Sequence, residues 1–127
     1  MNIIISNSSG RPIYDQIVSQ IKNQIMAGEL VEGEALPSMR VLAKELRISV
    51  ITTKRAYEEL EREGFIVSIT GKGSFVASMD TELIREEVLK QIEEHMSKAV
   101  DKANRANISL KELTQLLEYL YKEDSNS

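Results

Sequence analysis

The chain has no cysteine among its 127 residues, which excludes disulfides and any zinc–thiolate centre. It has one histidine, His95, which argues against a histidine-built metal cluster. No metal or other cofactor is expected. Long hydrophobic runs are missing too: Ile3-Ile4-Ile5 is as long as they become, too short to span a bilayer. The N-terminus lacks a basic stretch followed by an apolar one, so no signal peptide is visible and a cytoplasmic location is expected. No nucleophile–base–acid set stands out. A phosphate-binding loop also fails, because Gly71-Lys72 is followed by Gly73 where serine or threonine is required, and Gly64 lies too far upstream. These absences disfavour an enzyme or a nucleotide switch. The 42% hydrophobic content suffices for the core of one domain, or of one small domain with an appendage.

Charge is unevenly placed. The net charge is −4, yet residues 1–78 sum to zero and residues 79–127 carry the whole excess. Between Pro37 and Tyr57 five basic residues, Arg40, Lys44, Arg47, Lys54 and Arg55, face a single acid, Glu45. A basic patch on an acidic chain points to phosphate attraction.

The apolar pattern reads as helices with one hairpin. Ile3-Ile4-Ile5 is a short strand or an arm, and Asn7 to Gly10 a turn. Pro12 opens a first helix whose Ile13, Ile17, Ile21 and Ile25 form one stripe, with Gly28 as its stop. Glu29 to Leu36 is a connecting loop. A second helix is predicted over Ser38–Arg47, with Met39, Leu42, Ala43 and Leu46 inward. Ile48 bridges a turn, and Ser49 caps a third helix over Val50–Glu63, whose buried side is Thr53, Ala56, Tyr57 and Leu60. Phe65–Ile69 and Ser74–Ala77 read as two strands joined through Thr70-Gly71-Lys72-Gly73. From Asp80 to about Ala106 a long helix carries a coiled-coil-like seam of Leu89, Ile92, Met96, Ala99, Ala103 and Ala106. Ser109 to Glu112 is a capping box for a last helix with Leu110, Leu113, Leu117, Leu120 and Tyr121, and Glu123–Ser127 reads as a frayed tail.

Helix, turn, helix and glycine-tipped hairpin in that order describe a winged helix-turn-helix, which fits a helix into the major groove of duplex DNA. The third helix presents Val50, Ile51, Lys54, Arg55 and Glu58 outward. Val50 and Ile51 either meet thymine methyl groups or pack beneath the neighbouring helix. Thr52 is placed for a phosphate, Thr53 for the core. Tyr57 is expected half-buried, its hydroxyl within reach of a phosphate. Arg40 lies at the free N–H groups of the second helix, a phosphate site, and reaches a phosphate or a guanine edge, or else is a solvated arginine; Lys44 and Arg47 are weaker cases, close to plain surface charges. The Gly71-Lys72-Gly73 tip brings one cation close to DNA, or is an ordinary hairpin turn.

The segment LPSMRVLAKELRISVITTKRAYEELEREGFIVSITGKGSFV, Leu36 to Val76, carries a family resemblance. With the helix from Pro12, it resembles the N-terminal winged helix-turn-helix of GntR-family transcription regulators, and the two-helix tail resembles the YtrA-type subfamily. The resemblance implies a mainly α fold with a small β-hairpin: a DNA-binding domain over 1–78 and a helical dimerisation region over 79–127. It implies a homodimer on a palindromic operator in double-stranded DNA, often repressing nearby transporter genes. Carried over by position, the contacting residues are Ser38, Arg40, Ser49, Thr52, Lys54, Arg55, Tyr57, Gly71, Lys72 and Gly73. Many family members have arginine where this chain has Val50. The dimer interface is expected at Leu89, Ile92, Met96, Ala99, Ala103, Leu113, Leu117 and Leu120. No residue pattern specifies a small-molecule effector. The alternative reading is a winged-helix protein-interaction module without DNA binding.

Overall fold

The computed structural model describes residues 1–125 and divides into two compact units, Met1–Ile84 and Arg85–Ser127. The first contains α1 (Ile13–Met26), α2 (Met39–Leu46), α3 (Val50–Arg62) and the antiparallel hairpin β1 (Ile66–Ile69) and β2 (Gly73–Val76). A long helix, α4 (Thr81–Arg105), runs from the first unit into the second, which also holds α5 (Leu110–Ser125). The division falls inside α4 rather than ahead of it: Met79 packs on the core, and Ile84 borders a groove with Ile25, Leu30 and Val76.

The isoleucine stripe of α1 forms one wall of the core. Ile17, Ile21 and Ile25 are buried against Leu42, Ala56, Tyr57, Leu60, Phe65 and Ile66. Each fully buried aliphatic or aromatic side chain contributes roughly 1.5–3 kcal/mol. The Pro12 carbonyl accepts from the Asp15 and Gln16 N–H groups, and Gly28, at φ +79°, lets the chain leave the helix by a left-handed step. A partly buried ion pair ties α1 to the end of α3: Lys22 Nζ lies 2.8 Å from Glu63 Oε1 and 5.3 Å from the centre of the Phe65 ring.

Residues 2–6 form an arm, with no strand pairing. Three glutamines of α1 hold it. Gln24 donates to the Asn2 carbonyl at 2.7 Å. Gln20 accepts from the Ile4 N–H at 2.9 Å and donates to the Ile4 carbonyl at 2.7 Å. Gln16 pairs with Ser6 in the same way, at 2.8 and 2.9 Å. Four helical residues rise about 6 Å and two extended residues about 6.6 Å, so a glutamine every fourth position keeps register with alternate arm residues. Ile3 and Ile5 are thereby laid on the core.

The segment after α1 is more than a connecting loop. Ala35 bridges Phe75, and hydrogen bonds from Gly33 to Val76, from Val76 to Glu34 and from Leu36 to Ser74 line it along the free edge of β2. An unpaired edge is thus covered. In the hairpin, Gly73 belongs to β2 opposite Ile69, while Phe65 and Ala77 lie just outside the strands and are linked by a bond from the Ala77 N–H to the Phe65 carbonyl. Likewise α2 is one residue shorter than expected at each end, and α3 stops at Arg62.

In the second unit, Ser109 and Glu112 form the predicted capping box: the Glu112 N–H donates to Ser109 Oγ and the Ser109 N–H to Glu112 Oε2, each at 3.1 Å. Asn107, at φ +58°, makes the left-handed turn out of α4. Ala106 lies beyond that helix, and Glu123 to Ser125 are helical rather than frayed; Asn126 and Ser127 lie outside the described residues.

Tyr57 corrects another expectation. It is 1% exposed rather than half-buried, and its hydroxyl donates to the Pro37 carbonyl at 2.7 Å. Burial, then the charge of Glu45, pushes the phenol well above its ordinary value. The unfolded chain therefore loses this proton first, near pH 10, so stability holds below that pH and falls as pH rises above it. Tyr57→Phe, which removes the donor to the partly buried Pro37 carbonyl, is expected to cost about 1–3 kcal/mol in urea denaturation. It should also flatten the loss of stability above about pH 10.

Candidate nucleic-acid interface

The candidate surface starts from how α3 is held. Ser49 caps it, its Oγ accepting from the Thr52 N–H at 3.2 Å and lying 3.0 Å from Thr52 Oγ1. Thr53 turns inward and is fully buried, with its hydroxyl 3.0 Å from the Met39 carbonyl and 2.9 Å from the Val50 carbonyl. Its single proton is shared between α2 and α3. With Ala56, Tyr57 and Leu60 also inside, helical periodicity sends Val50, Ile51, Lys54, Arg55 and Glu58 to solvent. Ile51 is 80% exposed, so the alternative of packing under the neighbouring helix is removed. Val50 is exposed as well, and so is Val41 on α2, an apolar surface residue the sequence pattern had not singled out.

The turn before α3 is tight because Arg47 adopts a left-handed conformation, φ 56° and ψ 47°, letting the Ile48 N–H close onto the Ala43 carbonyl at 3.0 Å. Ser38 caps α2, accepting from the Val41 N–H at 3.2 Å. Arg40 therefore stands in the first turn, exposed, where the helix dipole favours an anion. At the wing tip, Gly71 and Gly73 have φ of +79° and +113°, a region closed to ordinary side chains, and the Lys72 N–H donates to the Ile69 carbonyl at 2.9 Å. Lys72 is the charged side chain this loop presents.

Electrostatics separate the basic residues. Lys54 lies 3.9 Å from Glu58, and both are well exposed, a pair of little energetic weight. Arg55 has its Cζ 3.8 Å from the centre of the Tyr14 ring. The nearby acid Glu59 is occupied by Arg62, whose hydrogen bond holds the Glu59 carboxyl below the usual range. Of the positions expected to contact DNA, Tyr57 is the one the structure withdraws from the surface, because its ring is core and its hydroxyl is spent on Pro37.

In the second unit the expected seam is half-exposed at Leu89, Ile92, Met96, Leu117 and Leu120. Ala103 is an exception. It is 3% exposed inside its own chain, and its carbonyl accepts from the Ile108 N–H at 2.8 Å, so it is not presented to a partner. Val100, unremarked in the seam pattern, is exposed and takes its place beside Met96 and Ala99 in an apolar groove of about 240 Å³ shared with Leu110, Leu113 and Leu117 of α5.

No helix among the described residues is long and apolar enough to cross a membrane. No three His, Asp or Glu among them stand together so as to hold a metal ion.

Two helices joined by a short turn, the second outward-facing, followed by a glycine-tipped hairpin, define a winged helix-turn-helix protein. This chain belongs to the gntR family of bacterial regulatory proteins, whose model matches residues 13–76. It is similar to the HTH-type transcriptional repressor YtrA of Bacillus subtilis (strain 168), with 33% identity over 111 residues that cover 87% of this chain and 85% of that protein. Its structure is similar to that of YtrA from Sulfolobus acidocaldarius, described as a GntR-family transcription factor: TM-score 0.58 at 37% identity, covering 71% of this chain and 95% of that one. A further similar structure is the AraR DNA-binding domain in complex with operator ORE1: TM-score 0.51 at 25% identity, covering 61% of this chain and 94% of that one.

Exposure at Ile51 leads to a direct test of the surface. Ile51→Ser should leave urea-denaturation stability within about 0.5 kcal/mol of wild type, whereas Leu42→Ala, one helix away in the core, should cost about 2–5 kcal/mol.

Proposed function

We propose that this chain is a sequence-specific DNA-binding transcription regulator, a repressor that acts as a homodimer on a palindromic operator. The observation carrying this reading is the combination on one unit of an outward α3 face, an N-terminal α2 arginine and a Lys72 wing tip, cationic or apolar except at Glu58, in the way a DNA groove requires. Arg40 and Lys72 neutralise phosphates, Ser38, Ser49 and Thr52 offer hydroxyls to the backbone, and Val50 and Ile51 read thymine methyl groups. Lys54 and Arg55 complete the basic face. The relatives add weight, since one is named as a repressor and another was solved with an operator. Control of transporter genes belongs to the same reading through the YtrA-type resemblance.

Dimerisation rests on the second unit. Its exposed leucines, Ile92, Met96 and Val100 leave it nearly without a core of its own, and Ala103 is the one fully buried apolar residue described there. A helix pair so built requires a cover. A second copy of the chain supplies it with the two-fold symmetry that suits two half-sites, centred about one helical turn, roughly 10 base pairs, or a multiple apart.

Selection from a random duplex pool, followed by sequencing, tests the reading and should return a palindrome. Arg40→Ala and Lys72→Ala should each weaken binding to that duplex and lower the log–log salt slope by about 0.9 per lost phosphate contact. Wild-type affinity and slope in both variants would remove this face as the docking surface. Ile51→Ser should change the preferred bases, at a cost of about 1–3 kcal/mol on the best site. For assembly, Ile92→Glu combined with Met96→Glu is expected to give a monomer by analytical ultracentrifugation, with sharply reduced duplex affinity and a folded winged domain by circular dichroism.

A further inference from the structure

We infer that Tyr14, on the first helix, is a positioning residue that holds the Arg55 guanidinium ready for a DNA phosphate. This rests on the DNA-binding reading and adds to it a residue outside the helix-turn-helix and wing.

The geometry starts from Tyr14. It lies in the first turn of α1, half-buried against the core, while Arg55 projects from the exposed face of α3. The guanidinium carbon sits 3.8 Å from the centre of the Tyr14 ring, a distance for stacking of the planar cation on the aromatic face. The acids that would ordinarily capture such an arginine are engaged elsewhere. Asp15, next to Tyr14, is bound by Arg11 through Nε at 3.0 Å and Nη2 at 2.7 Å. Glu59, one turn beyond Arg55, is bound by Arg62. Among the described residues Arg55 makes no hydrogen bond or ion pair; the ring is its close contact, and Glu59, held by Arg62, feels its charge only as a minor influence.

That difference matters chemically. A carboxylate would occupy the N–H edge of the guanidinium and cancel its charge. An aromatic ring engages the face and leaves the N–H edge and the charge for an incoming phosphate. Fixing the side chain beforehand also removes part of the ordering cost that binding would otherwise carry.

The test uses the full chain and the duplex that the wild-type chain enriches from a random pool, with affinity measured across a salt titration. Arg55→Ala should weaken binding roughly ten-fold or more and lower the salt slope by about 0.9. Tyr14→Leu, which keeps apolar bulk without a ring, should weaken it roughly two- to five-fold, and Tyr14→Phe should match wild type. In the Arg55→Ala background, Tyr14→Leu should have no further effect, which a role in folding alone would not produce. The inference is overturned if Tyr14→Leu binds like wild type, or if it still weakens binding in the absence of Arg55. It is also overturned if Tyr14→Phe loses as much as Tyr14→Leu, since the hydroxyl would then be the contact. Failure of the wild-type chain to enrich any duplex is a separate result, one that removes the DNA-binding reading and this inference with it.

Discussion

The inward grip on α3 is the constraint on which the rest of the first unit depends. Thr53 bonded to the Met39 carbonyl and Tyr57 bonded to the Pro37 carbonyl fasten α3 to both ends of the α2 entry, while Ala56 and Leu60 close onto the isoleucines of α1. A helix held on one side at four positions has no rotational freedom left. Its outer residues are therefore displayed in a fixed order, and a surface that must meet DNA edges needs that rigidity. The buried side-chain polar atoms are all satisfied among the described residues, so the grip carries no unpaired side-chain group that would favour another rotation.

Around this centre two further segments are tied down, one by side chains and one by backbone pairing. Gln16, Gln20 and Gln24 act as a strand for the N-terminal arm, and the segment from Gly33 to Leu36 closes the open edge of β2. Both devices protect apolar residues: Ile3 and Ile5 of the arm, laid against the core, and Phe75 and Val76 at the closed edge. The second unit is built differently. Its helices carry a tight left-handed turn at Asn107 and a complete capping box, so the local structure is fully specified, yet most of its apolar residues stay exposed. Strong local signals without a buried core are what a chain awaiting a symmetric partner requires, and they support the dimeric reading.

Much of this was legible from residue order. The stripes of α1, α2 and α3 fall at helical spacing, and the caps at Ser49 and Ser109 are short polar residues just ahead of apolar runs, whereas Ser38, read as the first residue of the second helix, is its cap. The glycines of the wing flank one lysine, and both take left-handed conformations. The glutamine ladder also had a signal, amides every fourth residue on α1, but that spacing reads equally as a solvated face until the arm is seen lying on it. The role of Tyr57 was half legible, because a tyrosine on an inward stripe has a hydroxyl that must end somewhere, and periodicity alone does not choose between a phosphate outside and a carbonyl within.

By itself the sequence determined helix phases, turn positions, the cationic stretch and the family, because each is written in neighbouring residues through propensity, capping and charge. Tertiary structure decided which hydroxyls and charged groups were already engaged: Tyr57 by Pro37, Lys22 by Glu63, Glu59 by Arg62 and Arg55 by Tyr14. It also decided that Ala103 is covered within its own chain while Val41, Val50, Ile51 and Val100 are not. Most of these pairings join residues far apart in sequence, on elements whose approach is fixed by core packing, and no local pattern encodes that distance.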